Sequence, residues 1–161
     1  MGHSFGGYET NFIATHSDRF KTYISGNGHS DIVHTYFNFA ENYTTPNYMA
    51  FENGQYRMNG PFAENKDLYF DNNPIYEAEN VQAPVLLWAG MRDDNVDWHE
   101  TRNFYNALKR NGKKVVSLFY REEGHTLHSA ESQTDLTVKI LEWLAYYLKD
   151  EGGIEWIHQK K

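Results

Sequence analysis

The sequence predicts an α/β fold: a parallel sheet with flanking helices, with about three strands in this chain. Two observations carry the prediction. Val85-Leu86-Leu87-Trp88-Ala89 is an uninterrupted apolar run of strand length, the pattern of a strand buried on both faces. Strand-like runs also alternate with helical segments, and such alternation builds parallel sheets through crossover helices.

The elements follow in chain order. Gly2 to Gly7 is glycine-rich and leads into a helix over 8–15, which His16-Ser17-Asp18-Arg19 breaks. Residues 20–25 are short, aromatic and β-branched, and Gly26-Asn27-Gly28 follows, so a strand ending in a turn is expected. Residues 29–80 are rich in Asn, Tyr and Phe and punctuated by Pro46, Pro61 and Pro74. There Ser30-Asp31 is placed to cap a helix over 32–38. The rest reads as short helices and loops that cover something, because the aromatic density is too high for disorder. After the strand at 85–89 comes a turn over 90–96. His99–Arg110 is an amphipathic helix with Phe104, Tyr105 and Leu108 on one face, stopped by Asn111-Gly112. Val115–Tyr120 is the next strand and 121–125 its exit loop. Over 135–149, Leu136, Ile140, Leu144 and Leu148 recur every fourth residue, marking a helix that Gly152-Gly153 ends. Residues 1–150 therefore read as one domain and 151–161 as a tail.

Composition excludes several function classes. The 161 residues are 40% hydrophobic, 16% aromatic and 23% charged, as in an ordinary globular domain. A formal net charge of −7 argues against nucleic acid or an anionic membrane as the main partner. There is no cysteine, hence no disulfide, cysteine-ligated metal or thiol nucleophile. No apolar run reaches the ~18 residues of a spanning helix, and the first residues lack the basic start and apolar stretch of a signal peptide. Neither H-E-x-x-H, a P-loop nor a dinucleotide fingerprint occurs. His125-x-x-His128 and His99-Glu100 have no further ligands at metal spacing, so no metal or cofactor is expected. Asn42-Tyr43-Thr44 fits a glycosylation triplet, which is common by chance.

Three segments carry chemistry. Gly2-His3-Ser4-Phe5-Gly6 matches G-x-S-x-G, in which a serine sits on a strained turn between strand and helix. The following helix points its N-terminus at the serine and favours an anion there. Taken alone, the pentapeptide also fits a glycine-rich turn. Gly90-Met91-Arg92-Asp93-Asp94-Asn95-Val96 follows the buried strand, where catalytic groups gather in open α/β sheets. Taken alone, it also fits a solvated turn. Glu123-Gly124-His125 follows the next strand. The order Ser, Asp, His, each at the exit of a strand of one sheet, is the hydrolase order.

Gly2-His3-Ser4-Phe5-Gly6-Gly7-Tyr8, the run 80–87, Asp93-Asp94-Asn95-Val96 and Glu123-Gly124-His125 together resemble the catalytic domain of the prolyl oligopeptidase family of serine peptidases, including its dipeptidyl-peptidase and acylaminoacyl-peptidase branches. The likeness runs from residue 1 to about 149. It implies the C-terminal half of an α/β-hydrolase fold and peptide cleavage through an acyl-enzyme. It implies Ser4 as nucleophile, His125 as general base, Asp93 rather than Asp94 as the acid that orients His125, and the Phe5 N–H as an oxyanion donor. Asn95 resembles a substrate-carbonyl contact, and a turn-stabilising amide fits it equally. Val33, Tyr36 and Phe37 fall where the family lines its pocket with aromatics, and each also reads as core.

In that family the second oxyanion donor and the strand feeding the serine precede the elbow. On the resemblance, the chain is expected to be a fragment with Ser4 poorly placed and activity low or absent. Alternatives are a non-catalytic remnant that self-associates through an exposed sheet edge, and a carboxylesterase with the same triad. The expected partners are a peptide substrate and a second copy of the chain.

Overall fold

The computed structural model describes residues 1–39 and 46–158; the glycosylation triplet and Lys160-Lys161 lie outside the described residues. Four strands form one sheet in chain order: β1 (Gly2–His3), β2 (Tyr23–Gly26), β3 (Val85–Gly90) and β4 (Val115–Tyr120). All three pairings are parallel, with Gly2 opposite Ser25, Tyr23 opposite Val85 and Val85 opposite Val115. The three expected strands are thus parallel neighbours. The fourth corrects the sequence reading: a two-residue strand does feed Ser4. Two residues are too few for periodicity to register, and only pairing with β2 reveals them.

Among the described residues six helices accompany the sheet: α1 (Phe5–His16), α2 (Ile32–Tyr36), α3 (Tyr48–Glu52), α4 (Lys66–Asp71), α5 (His99–Arg110) and α6 (Ala130–Lys149). Two 3₁₀ segments span Pro74–Asn80 and Glu155–His158. α2 begins as expected, with the Asp31 carboxylate accepting the His34 N–H at 3.0 Å. α1 begins three residues earlier than its apolar pattern indicates, directly after Ser4. α6 begins five residues earlier, at a cap where Ser129 Oγ accepts the Ser132 N–H at 3.1 Å. It ends at Asp150 in the left-handed conformation (φ 56°), ahead of the two glycines.

The strands alternate their faces, and the two sides of the sheet are covered differently. Tyr23, Val85, Leu87 and Val115 pack with Ala14 of α1, Ala78, and Phe104 and Leu108 of α5. Ile24, Leu86 and Trp88 pack with Leu136 and Trp143 of α6. The Trp143 indole N–H also donates to Thr22 Oγ1 at 2.6 Å. Ile157 joins this second cluster, and Trp156 stacks on Trp143 with ring centroids 6.1 Å apart. A third cluster is aromatic and belongs to the cover: Tyr8, Ile32, Tyr36, Phe51, Met58 and Tyr69. Such rings bury large areas and favour tilted or edge contacts, which explains how short helices hold together here. Among the described residues no helix is long and apolar enough to cross a membrane.

Phe104 is fully buried beneath the sheet. Phe104→Ala is expected to lower unfolding free energy by about 3–5 kcal/mol, read from urea denaturation followed by circular dichroism.

Candidate active site

The sheet delivers the exits of its four parallel strands to one end. Ser4 lies between β1 and α1 with φ 59° and ψ −123°, a region that costs an L-residue about 1–3 kcal/mol and persists only when over-determined. The restraints are visible: the Ser4 N–H donates to Gly26 O at 2.9 Å, and its carbonyl accepts the Tyr8 N–H at 3.0 Å. The glycines have unequal roles. A Cβ at Gly2 would lie 2.0 Å from Gly6 O, and one at Gly7 would lie 2.7 Å from Gly26 O, whereas one at Gly6 meets nothing within 4 Å. Close approach of α1 to β2 therefore rests on the second glycine of the doublet.

Asp93 lies in the loop after β3, its side chain fully out of solvent. Oδ1 accepts the N–H groups of Asn95 and Val96, each at 2.8 Å, and Oδ2 meets His125 Nδ1 at 2.8 Å. The acid that meets the histidine is therefore the first of the pair, and Asp94 beside it is exposed. His125 follows β4. Its loop is closed by buried Glu123, whose carboxylate accepts the His128 N–H at 2.6 Å and the Ser129 N–H at 3.1 Å. Hydrogen bonds from Ser129, His128 and Ser132 hold the Glu123 carboxyl down at about 2. His125 Nε2 lies 2.8 Å from Ser4 Oγ. The expectation of a misplaced serine is therefore wrong: two residues of β1 and the bond to Gly26 suffice to aim it. An ionised carboxylate only accepts, so the proton of the imidazole sits on Nδ1 and leaves Nε2 to accept from the serine hydroxyl. Phe5 opens α1, and the N–H groups of a first helical turn have no acceptor within the helix.

A cavity of about 520 Å³ opens beside Ser4 and Phe5. Asn95 lines it, as do His29, Thr35, Phe51 and Tyr56. Val33, Tyr36 and Phe37 are not among its described lining. Tyr36 is buried in the aromatic cluster with Val33 against it, and Phe37 is exposed. The side chains that line this cavity are thus others than the three named from the sequence, and His29 is among them. The signal was present, since His29 follows the exit of β2 just as Asp93 and His125 follow β3 and β4.

Behind His29 stands a buried polar chain. Thr35 Oγ1 lies 3.2 Å from His29 Nδ1 and 3.1 Å from Glu100 Oε1, while Glu100 Oε2 accepts the Ser30 and Asp31 N–H groups at 2.8 and 2.7 Å. Burial raises the Glu100 carboxyl, and the Asp31 and Ser30 N–H groups oppose the shift. Burial lowers the His29 imidazole from 6.5 to about 4, with Asp93 opposing and His125 adding to the shift. Among the described residues no group of three or more metal-binding side chains is present.

Comparison with known proteins places the chain in a family. Residues 1–151 match the family described as the prolyl oligopeptidase family. The chain is 26% identical over 135 residues to "Uncharacterized peptidase YuxL" of Bacillus subtilis (strain 168), covering 78% of this chain and 18% of that one. It is 32% identical over 78 residues to the acylamino-acid-releasing enzyme of Rattus norvegicus, covering 48% of this chain and 11% of the enzyme. Among solved structures, an acylaminoacyl peptidase in complex with Z-Gly-Gly-Phe-chloromethyl ketone superposes with a TM-score of 0.80 at 28% identity, over 98% of this chain and 25% of that one. An uncomplexed acylaminoacyl peptidase of Pyrococcus horikoshii gives 0.78 at 28% identity, over 98% of this chain and 26% of that one. The chain thus spans about a quarter or less of the length of these relatives.

Burial of His29 is expected to give the fold a pH dependence. Its folded value lies below 6.5, so the unfolded chain binds the extra proton between pH 6.5 and about 4, and stability falls as pH drops through that window. His29→Gln is expected to flatten the fall of melting temperature between pH 7 and 4, removing up to about 3 kcal/mol of pH-dependent loss.

Proposed function

The chain belongs to the prolyl oligopeptidase family, and from that premise we propose that it carries the acyl-transfer machinery of a serine peptidase. The observation that carries the reading is the continuous line from Asp93 Oδ2 through His125 to Ser4 Oγ, with 2.8 Å at each junction. In this reading His125 Nε2 takes the Ser4 proton as Oγ attacks the carbonyl carbon of a peptide bond. The oxyanion forms at the N-terminus of α1, where the Phe5 N–H and the helix dipole stabilise it. His125 then returns the proton to the leaving amine, and water activated by the same nitrogen releases the acyl group. Asp93, held by two backbone N–H groups, keeps the imidazole tautomer and stabilises the imidazolium. Asn95 borders the cavity and would contact a substrate carbonyl.

Phe5 supplies one oxyanion donor. Loss of such a donor typically costs about 10²–10³-fold in turnover. Met1, Ile13 and Phe20 are exposed beside the short edge strand β1, and pairing with a second copy along this edge would cover them. Light scattering on the purified chain is expected to give a dimer or larger species, and a monomer at micromolar concentration would refute that assembly.

A fluorophosphonate probe is expected to label Ser4 stoichiometrically. Ser4→Ala should abolish labelling, and His125→Ala should slow it at least ~10³-fold while leaving the melting temperature close to that of the parent.

A further inference from the structure

We propose that Asn27 is the positioning residue that registers the acid-bearing turn against the histidine loop. The inference rests on the reading of Ser4, Asp93 and His125 as the catalytic set. Asn27 stands one residue beyond β2, is 1% exposed and adopts a left-handed conformation (φ 42°). Asparagine tolerates that region better than most side chains. Its backbone extends the ladder by one bond, from N–H to Trp88 O at 2.9 Å. Its side chain then fills the gap between the ends of β3 and β4. Oδ1 accepts the Gly90 N–H at 3.0 Å, and Nδ2 donates to the His125 carbonyl at 2.7 Å.

One planar amide therefore grips both loops. Gly90 lies three residues before Asp93 and accepts the Asp93 N–H at 3.3 Å. The two loops are pressed together at this point: a Cβ on Gly90 would lie 2.1 Å from Gly124 O, and the Arg92 N–H donates to Glu123 O at 2.8 Å. The His125 carbonyl also accepts from His3 Nε2 at 2.7 Å, and the His3 ring lies nearly parallel to Trp88 at 5.3 Å. The backbone of His125 is thus held by two donors, His3 from β1 and Asn27 from the exit of β2, and the Asp93 turn by the acceptor of the Asn27 amide. The chemistry dictates the residue type. Asp has no donor for the carbonyl when ionised, Ser has one short hydroxyl for two partners, and Gly has neither group. A displacement of about 1 Å between reacting groups costs on the order of 100-fold in rate, which is the scale on which such a tie acts.

The test uses the full chain with Asn27→Asp, which keeps the acceptor for Gly90 and loses the donor, and Asn27→Gly, which keeps the left-handed backbone and loses both. Two readouts are compared with thermal unfolding: the rate of fluorophosphonate labelling of Ser4, and the downfield proton resonance of His125 Nδ1 in nitrogen-15 histidine-labelled protein. The proposal expects both variants to unfold cooperatively, labelling to slow about 10–100-fold, and the resonance to move upfield or vanish. Folded variants that keep the parent's resonance and labelling rate overturn it. In the unsubstituted protein, a coupling across the hydrogen bond from Asn27 Nδ2 to the His125 carbonyl carbon is expected, and its absence also overturns the proposal even if neither variant folds. If the parent chain is never labelled while the variants still lose the resonance, the peptidase reading fails and the role of Asn27 stands.

Discussion

The structure depends on one constraint: four strands hydrogen-bond in parallel in the order in which they occur in the chain. Parallel pairing sends every strand out of the sheet at the same edge, and register then decides how far apart the exits lie. Here His3 is opposite Gly26, Gly26 opposite Trp88, and Gly90 opposite Tyr120. Ser4, Asn27, the loop holding Asp93 and the loop holding His125 therefore emerge side by side, although Ser4 and His125 are 121 residues apart. The unfavourable dihedral angles of Ser4 persist because the ladder holds its N–H while α1 holds its carbonyl.

Much of this is legible in the sequence, for identifiable reasons. β3 shows as an apolar run because it is covered on both faces, by α5 on one side and α6 on the other. Asp93 and His125 show because acids and histidines at strand exits are few, and the chain order of Ser, Asp and His links them. β1 escapes notice because two residues carry no period. The early starts of α1 and α6 escape because a helix that begins at a polar or strained residue has no apolar marker there.

The cavity was harder to read. Residues 29–80 supply aromatic side chains to the buried cluster and to the cavity alike, and composition cannot divide them. Tyr36 lies in the cluster, whereas Phe51 and Tyr56 belong to the cluster region and the cavity wall together, stacked at 4.1 Å. The division depends on how the segment packs, which is a tertiary fact. The chain of Glu100, Thr35 and His29 is equally invisible, because its members come from α5, α2 and the exit of β2. Its buried carboxylate is tolerable only because two backbone N–H groups and a hydroxyl meet it.

The brevity of β1 has a consequence for how the protein loses its site. Proteins open locally with free energies well below that of global unfolding, and the elements with the fewest cooperative contacts open first. β1 joins the sheet through two residue pairs, assisted by the His3 ring against Trp88 and His125. The core clusters on either side of the sheet do not need β1 to remain intact. The integrity of the serine and that of the fold are therefore two separate equilibria. The amide protons of Ser4 and His3 belong to the fast-exchanging one, and those of β3 to the slow one.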